Sequence, residues 1–176
     1  MKRTIFLKTL SVFVFTAFFC LAGYAQNPPA SPPAKATGKI GDANITIDYS
    51  APSVKGRKIF GGLEAYGKPW RAGANRATIL ETDKQITIEG KTLPAGKYSL
   101  FLTPRENEWT VILNSETGQW GIKRGGEANR DPAKDVVTAT VKPVKSSTLT
   151  EQLAYSVNNN GITMKWENVE VPISIK

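Results

Sequence analysis

The stretch YSLFLT, residues 98–103, sets Tyr98, Leu100 and Leu102 on one side of an extended chain and Ser99, Phe101 and Thr103 on the other. A period of two is the pattern of a half-buried strand, because successive side chains point to opposite faces of a sheet. The same beat continues in both directions. Toward the N-terminus it marks Ile86 and Ile88, then Ile45, Ile47 and Tyr49. Toward the C-terminus it marks Trp109, Val111 and Leu113, then Val137, Ala139 and Val141, then Leu153, Tyr155 and Val157. It ends in Ile162, Met164 and Trp166 and in Val169, Val171, Ile173 and Ile175. Each run is expected to hide one face and expose the other. Turn-forming residues lie between the runs, at Glu89-Gly90, at Pro94-Ala95-Gly96 and in residues 105–108, 115–118 and 158–161. The fold class expected is therefore all-β, an antiparallel, jelly-roll-like β-sandwich of about eight to ten strands with one short helical turn near residues 59–66. Pro172 has no amide hydrogen, which places the last strand at an edge or in a bulge.

The chain ahead of these strands reads differently. Lys2 and Arg3 precede an apolar run from Leu10 to Leu21, and small residues Gly23 and Ala25 follow. A basic start, an apolar core of roughly a dozen residues and small residues three and one before the cut describe a secretory signal, residues 1–25, cleaved after Ala25. The run is too short to predict a membrane span. Cys20 is preceded by the bulky Phe19, which argues against a lipid anchor, and its removal leaves a cysteine-free chain without disulfide or thiolate. The localisation expected is exported, periplasmic or extracellular. QNPPASPPAK has four prolines, so residues 26–37 are expected to form a disordered, extended spacer before a single domain over 38–176.

Charge and missing residue types narrow the chemistry. Loss of Lys2, Arg3 and Lys8 lowers the formal charge from +8 to +5, with the remaining cations scattered. Export and the absence of a basic cluster exclude nucleic acid as the expected partner. Histidine is absent altogether, which removes the usual general base near neutral pH and the usual ligand of catalytic zinc. Asp42, Asn44 and Asp48 offer oxygen ligands without the spacing of a calcium loop. Ser50 and Ser99 have no histidine to activate them, and no Gly-x-Ser-x-Gly elbow occurs. Neither a catalytic residue, a metal site nor a cofactor is expected, and hydrolysis by paired carboxylates stands as the alternative function, beside a structural or assembly role in the envelope.

Three phrases carry a resemblance: KGRKIFGGLEAYGKPWRAGAN (55–75), LPAGKYSLFLTP (93–104) and WTVILNSETGQWG (109–121). In combination they make the chain similar to the exported bacterial family catalogued as domain of unknown function 2911 (DUF2911), over nearly the whole length after the signal. The resemblance implies a β fold and an exported address, and no activity. Where that family typically carries Thr and an acid, this chain has Ala72 and Arg76, and Arg76 would repel a cation held there.

Two long irregular segments interrupt the strands, residues 50–75 and 121–135, and connections of such length are functional or mobile. The second, polar and Gly-rich, is expected to be mobile. The first holds WRAGAN, residues 70–75. Trp70 and Trp120 can act as stacking walls for a sugar or peptide, with Arg71 and Asn75 supplying directed hydrogen bonds and Arg57 an anion-binding fork. The structural reading, favoured because large aromatics are usually buried, has Trp70 bolt the loop to the core while Arg71 and Asn75 satisfy loop backbone groups. Arg57 can likewise pair with Asp48 or Glu64. The function expected is a non-catalytic binding module for a glycan, peptide or other envelope component, with Trp70, Arg71, Asn75, Arg57 and Trp120 as its binding residues.

Overall fold

The alternation at Ile45 and Ile47 becomes a ladder. In the computed structural model, which describes residues 29–176, both isoleucines are buried while Thr46 and Asp48 stay partly exposed. Ten strands follow along the described chain: β1 (Pro33–Ile40), β2 (Ala43–Ser50), β3 (Thr78–Thr82), β4 (Ile86–Ile88), β5 (Lys91–Leu93), β6 (Gly96–Thr103), β7 (Trp109–Asn114), β8 (Asp135–Val141), β9 (Val144–Asn158) and β10 (Gly161–Ser174). All the pairings are antiparallel.

One layer is a six-stranded sheet in the order β1-β2-β3-β6-β7-β8. The other is made by two hairpins, β9–β10 and β4–β5. These hairpins join at the Ile88–Ile175 bridge, where Thr87 and Lys176 exchange N–H···O bonds of 2.7 and 2.9 Å. Between the layers lies a core that includes Ile45, Ile47, Leu80, Leu100, Val111, Met164 and Trp166. At one side of the sandwich β1 runs beside β9, so closely that a Cβ on Gly38 would lie 2.7 Å from Val157 Cβ. Among the described residues no helix is long and apolar enough to cross a membrane.

Several expectations meet a correction here. β1 begins at Pro33, so residues 33–37 of the expected spacer are strand. Pro33, its one proline, is tolerated because it is the first residue of the strand and β1 is the sheet edge, where one side needs no amide donor. The expected signal, residues 1–25, and residues 26–28 of the expected spacer lie outside the described residues. The helical turn expected near residues 59–66 is a series of hydrogen-bonded turns instead, and the 3-10 helix of the described chain is Pro132–Lys134, capped by Asp131. Pro172 does meet its expectation of an edge: β10 borders a two-stranded sheet and Pro172 lies beyond Glu170, the last residue paired with β9, while the bulges of β10 fall earlier, between Lys165 and Glu167 and between Glu167 and Val169.

The one-face rule fails at β6 and β7. Ser99, Phe101, Thr103, Ile112 and Asn114 are buried along with their alternates. Phe101 and Ile112 meet Ala77 in a second small core, and Ala128 packs against it from the segment 121–135. That segment is held by Lys123 N–H to Glu127 O (2.8 Å) and Asn129 N–H to Gly121 O (2.9 Å), and it covers the outer face of the sheet. The polar groups it buries are satisfied locally. The Ser99 hydroxyl donates to Glu116 O (2.7 Å), and Asn114 Nδ2 donates to Asp131 O and Asp135 Oδ1 (2.8 Å each).

Candidate functional site

Residues 50–75 cross from β2 to β3 over the end of the second layer. Val54 N–H donates to Glu151 O (2.7 Å) and Leu153 N–H to Pro52 O (2.9 Å), tying the start of the loop to β9. Ile59 and Phe60 then enter the core. Their amides face the Glu167 carboxylate at 3.3 and 3.5 Å. Glu167 has φ 56° and sits between the two bulges of β10. A bulge re-aims neighbouring side chains that a regular strand would send to opposite faces. Trp166 and Glu167 thus meet the same loop, the first through its ring and the second through its carboxylate.

WRAGAN divides its labour residue by residue. The Trp70 ring is only 3% exposed, and its Nε1–H donates to Gly73 O at 3.0 Å. It stacks on Trp166 with centroids 5.5 Å apart and meets Phe60 edge-on, and Phe60 in turn meets Trp109 at 4.7 Å. Trp70 and Leu102 also exchange backbone bonds of 2.7 and 2.9 Å. Trp70 is therefore a core residue that bolts the loop down, and its faces are occupied by protein. Ala72 takes φ 55°, and its carbonyl accepts from Thr78 Oγ1 (3.0 Å) and from the buried Tyr155 hydroxyl (2.7 Å), whose pKa burial raises well above the usual value. Asn75, at φ 60°, donates from Nδ2 to Ser31 O at 3.4 Å. Arg57 donates to Val54 O and Ser53 O at 3.0 and 2.6 Å, while Asp48 pairs with Lys35 at 3.0 Å.

Arg71 behaves differently. Its stem lies on Gly121, where an added Cβ would come 2.1 Å from Arg71 Cδ. Its Nε is buried and has no acceptor among the described residues. The same is true of Trp166 Nε1. Both residues line one cavity of about 410 Å³, bounded by the loop residues Ser53, Lys55, Arg57 and Glu64 among others. Glu64 carries the cavity's carboxylate, and it forms an ion pair with neither arginine. Burial pushes its pKa from 4.5 up to about 7, although the fields of Arg71 and Arg57 pull the other way. Burial likewise lowers the Arg71 pKa, against the opposing field of Glu64. Glu64 also lines an adjoining cavity of about 450 Å³ with Lys68, Glu127 and Arg130.

Of the residues expected to bind, Arg57 and Arg71 meet at the first cavity, while Trp70, Asn75 and Trp120 are not on its wall. Trp120 is 54% exposed and bridges to Arg76 through its backbone. Glu64 and Trp166 are the cavity residues that sequence reasoning missed as ligands. Trp166 carried the alternation of a core strand, and nothing in that pattern reveals that its N–H lacks an acceptor. Glu64 was legible only as a pairing partner for Arg57, and the two form no ion pair.

No curated protein and no solved structure matches this chain. A family model described as "Protein of unknown function (DUF2911)" matches residues 31–175, from just ahead of β1 to the end of the second layer. With that match spanning the whole sandwich and the loop that walls its cavity, the chain belongs to the DUF2911 family.

Proposed function

We propose that this protein is an exported, non-catalytic binding module of the periplasm or cell surface that takes a glycan, peptide or other envelope component into the cavity beneath residues 50–75. The observation that carries the reading is that Arg71 and Trp166 line one cavity and each buries a donor, Nε and Nε1, that has no acceptor among the described residues. A buried donor left unpaired costs about 1–3 kcal/mol, so a ligand that supplies acceptors gains on both. The cavity volume suits a small ligand or one end of a longer one. The bolted Trp70 and the Glu167 carboxylate hold the wall rigid, which reduces the ordering cost of binding. Glu64 is the one carboxylate among the described residues on this cavity's wall, which favours binding there over hydrolysis by paired acids; Glu64 and Glu127 share only the adjoining cavity. The basic, apolar N-terminus supports export.

Titration of soluble envelope glycans and peptides against the protein and against Arg71→Ala and Trp166→Phe tests the site. Ligands of this cavity are expected to bind at least about tenfold more weakly to either folded variant. Unchanged affinity in both would defeat the assignment.

A further inference from the structure

The wall of the cavity is chemically one-sided. Among the described residues, Arg71 and Trp166 each bury an N–H donor that no group accepts, and the ammonium of exposed Lys55 forms no ion pair. Arg57 spends two donors on loop carbonyls but adds its charge. On the wall itself these three cations face one carboxylate, Glu64, held near half-neutral around pH 7 by burial, and at the rim the Glu151 carboxylate accepts from the Lys55 backbone N–H at 2.9 Å. A neutral sugar hydroxyl would satisfy one donor and leave the positive field unanswered. We propose that the cavity recognises a carboxylate group, carried on an acidic sugar or at a peptide C-terminus; this rests on the binding-module reading above and names the ligand's reactive end.

Charge favours an anion, and geometry fits a carboxylate. A guanidinium edge and an indole N–H together offer donors to a planar acceptor with two oxygens, which a carboxylate matches. Gly121 is the positioning residue for this arrangement. It leaves room for the Arg71 stem, and Gly121→Ala would push the guanidinium aside without removing its charge.

Calorimetric titration of the full-length protein with two matched pairs tests the proposal: trigalacturonate against its methyl ester, and trialanine against its C-terminal amide. At least one free acid is expected to bind tenfold or more tightly than its neutral partner. The responding pair identifies the source, and a response from both means that the carboxylate alone is read. The preference is expected to shrink in Trp166→Phe and in Lys55→Asn; the latter changes an exposed residue at φ 49°, a conformation that asparagine accepts, so the fold is kept. Acid and neutral forms that bind alike would overturn the carboxylate assignment and leave the binding-module reading standing. Inorganic phosphate binding more tightly than the free acids would also overturn it. No binding by any of the four compounds would count against both.

Discussion

Glu64 shows how one side chain records the state of its surroundings. Its ordinary pKa of 4.5 rises to about 7 because burial penalises the charged form more than Arg71 and Arg57 favour it. A raised pKa means that the folded chain binds the proton more tightly than the unfolded chain does. This contribution to stability is complete below pH 4.5, declines as pH rises and is gone above about pH 7. Chemical denaturation across that window is expected to show stability falling by about 2 kcal/mol in the natural protein and staying nearly flat in Glu64→Gln. Equal slopes would mean that the carboxyl is well solvated. The sequence displayed this acid plainly but not its setting, because desolvation depends on which loop folds over it. Trp70 was legible as one of two things, a platform or a bolt, and only the 3.0 Å bond to Gly73 and the stacked Trp166 decide for the bolt. Arg71 next to it was legible as a donor, yet its lack of an acceptor follows from where Gly121 lies, 50 residues away in the chain.

Among the elements, β10 does the most to shape the site. Its alternation at Ile162, Met164 and Trp166 and at Val169, Val171 and Ile173, continued by Ile175 just beyond it, was readable from sequence, and all of these but the half-buried Val169 are buried. The bulge around Glu167 was not, since a bulge leaves the period of two intact on either side and only shifts its phase. Glu167 holds φ 56° while its carboxylate faces the amides of Ile59 and Phe60. A non-glycine residue there is strained by about 1 kcal/mol, and the charged hydrogen bonds outweigh that cost. Glu167→Ala, which keeps the strain and loses the bonds, is expected to destabilise by about 2–3 kcal/mol in urea unfolding. Glu167→Gly is expected to recover about 1 kcal/mol of that loss. An alanine variant as stable as the glycine variant would remove the strain from this picture. The segment 121–135 teaches a related lesson. Its polar, Gly-rich composition suggests mobility, but Ala128 packs on the second small core, and the buried Phe101 and Ile112 are what require that cover.

Over the whole molecule, two layers of strands were predictable because apolar side chains at every second position have few ways to leave water except between sheets. What the pattern could not contain is the pairing order, which sends β4–β5 out of the main sheet to extend β9–β10, or the path of residues 50–75 against Trp166. The site arises from that path: the loop is anchored by the core through Trp70 and by β10 through Glu167, while Arg71 and Trp166 are left facing a cavity. The most direct measurement is a nitrogen–proton NMR spectrum of the four indole N–H groups and the Arg71 Nε–H, followed as trigalacturonate and trialanine are added. The Trp166 and Arg71 signals are expected to move while the Trp70 signal, bonded to Gly73, stays in place and exchanges slowly with water. A Trp70 signal that exchanges as fast as that of exposed Trp120, with Trp166 and Arg71 unmoved, would contradict the account.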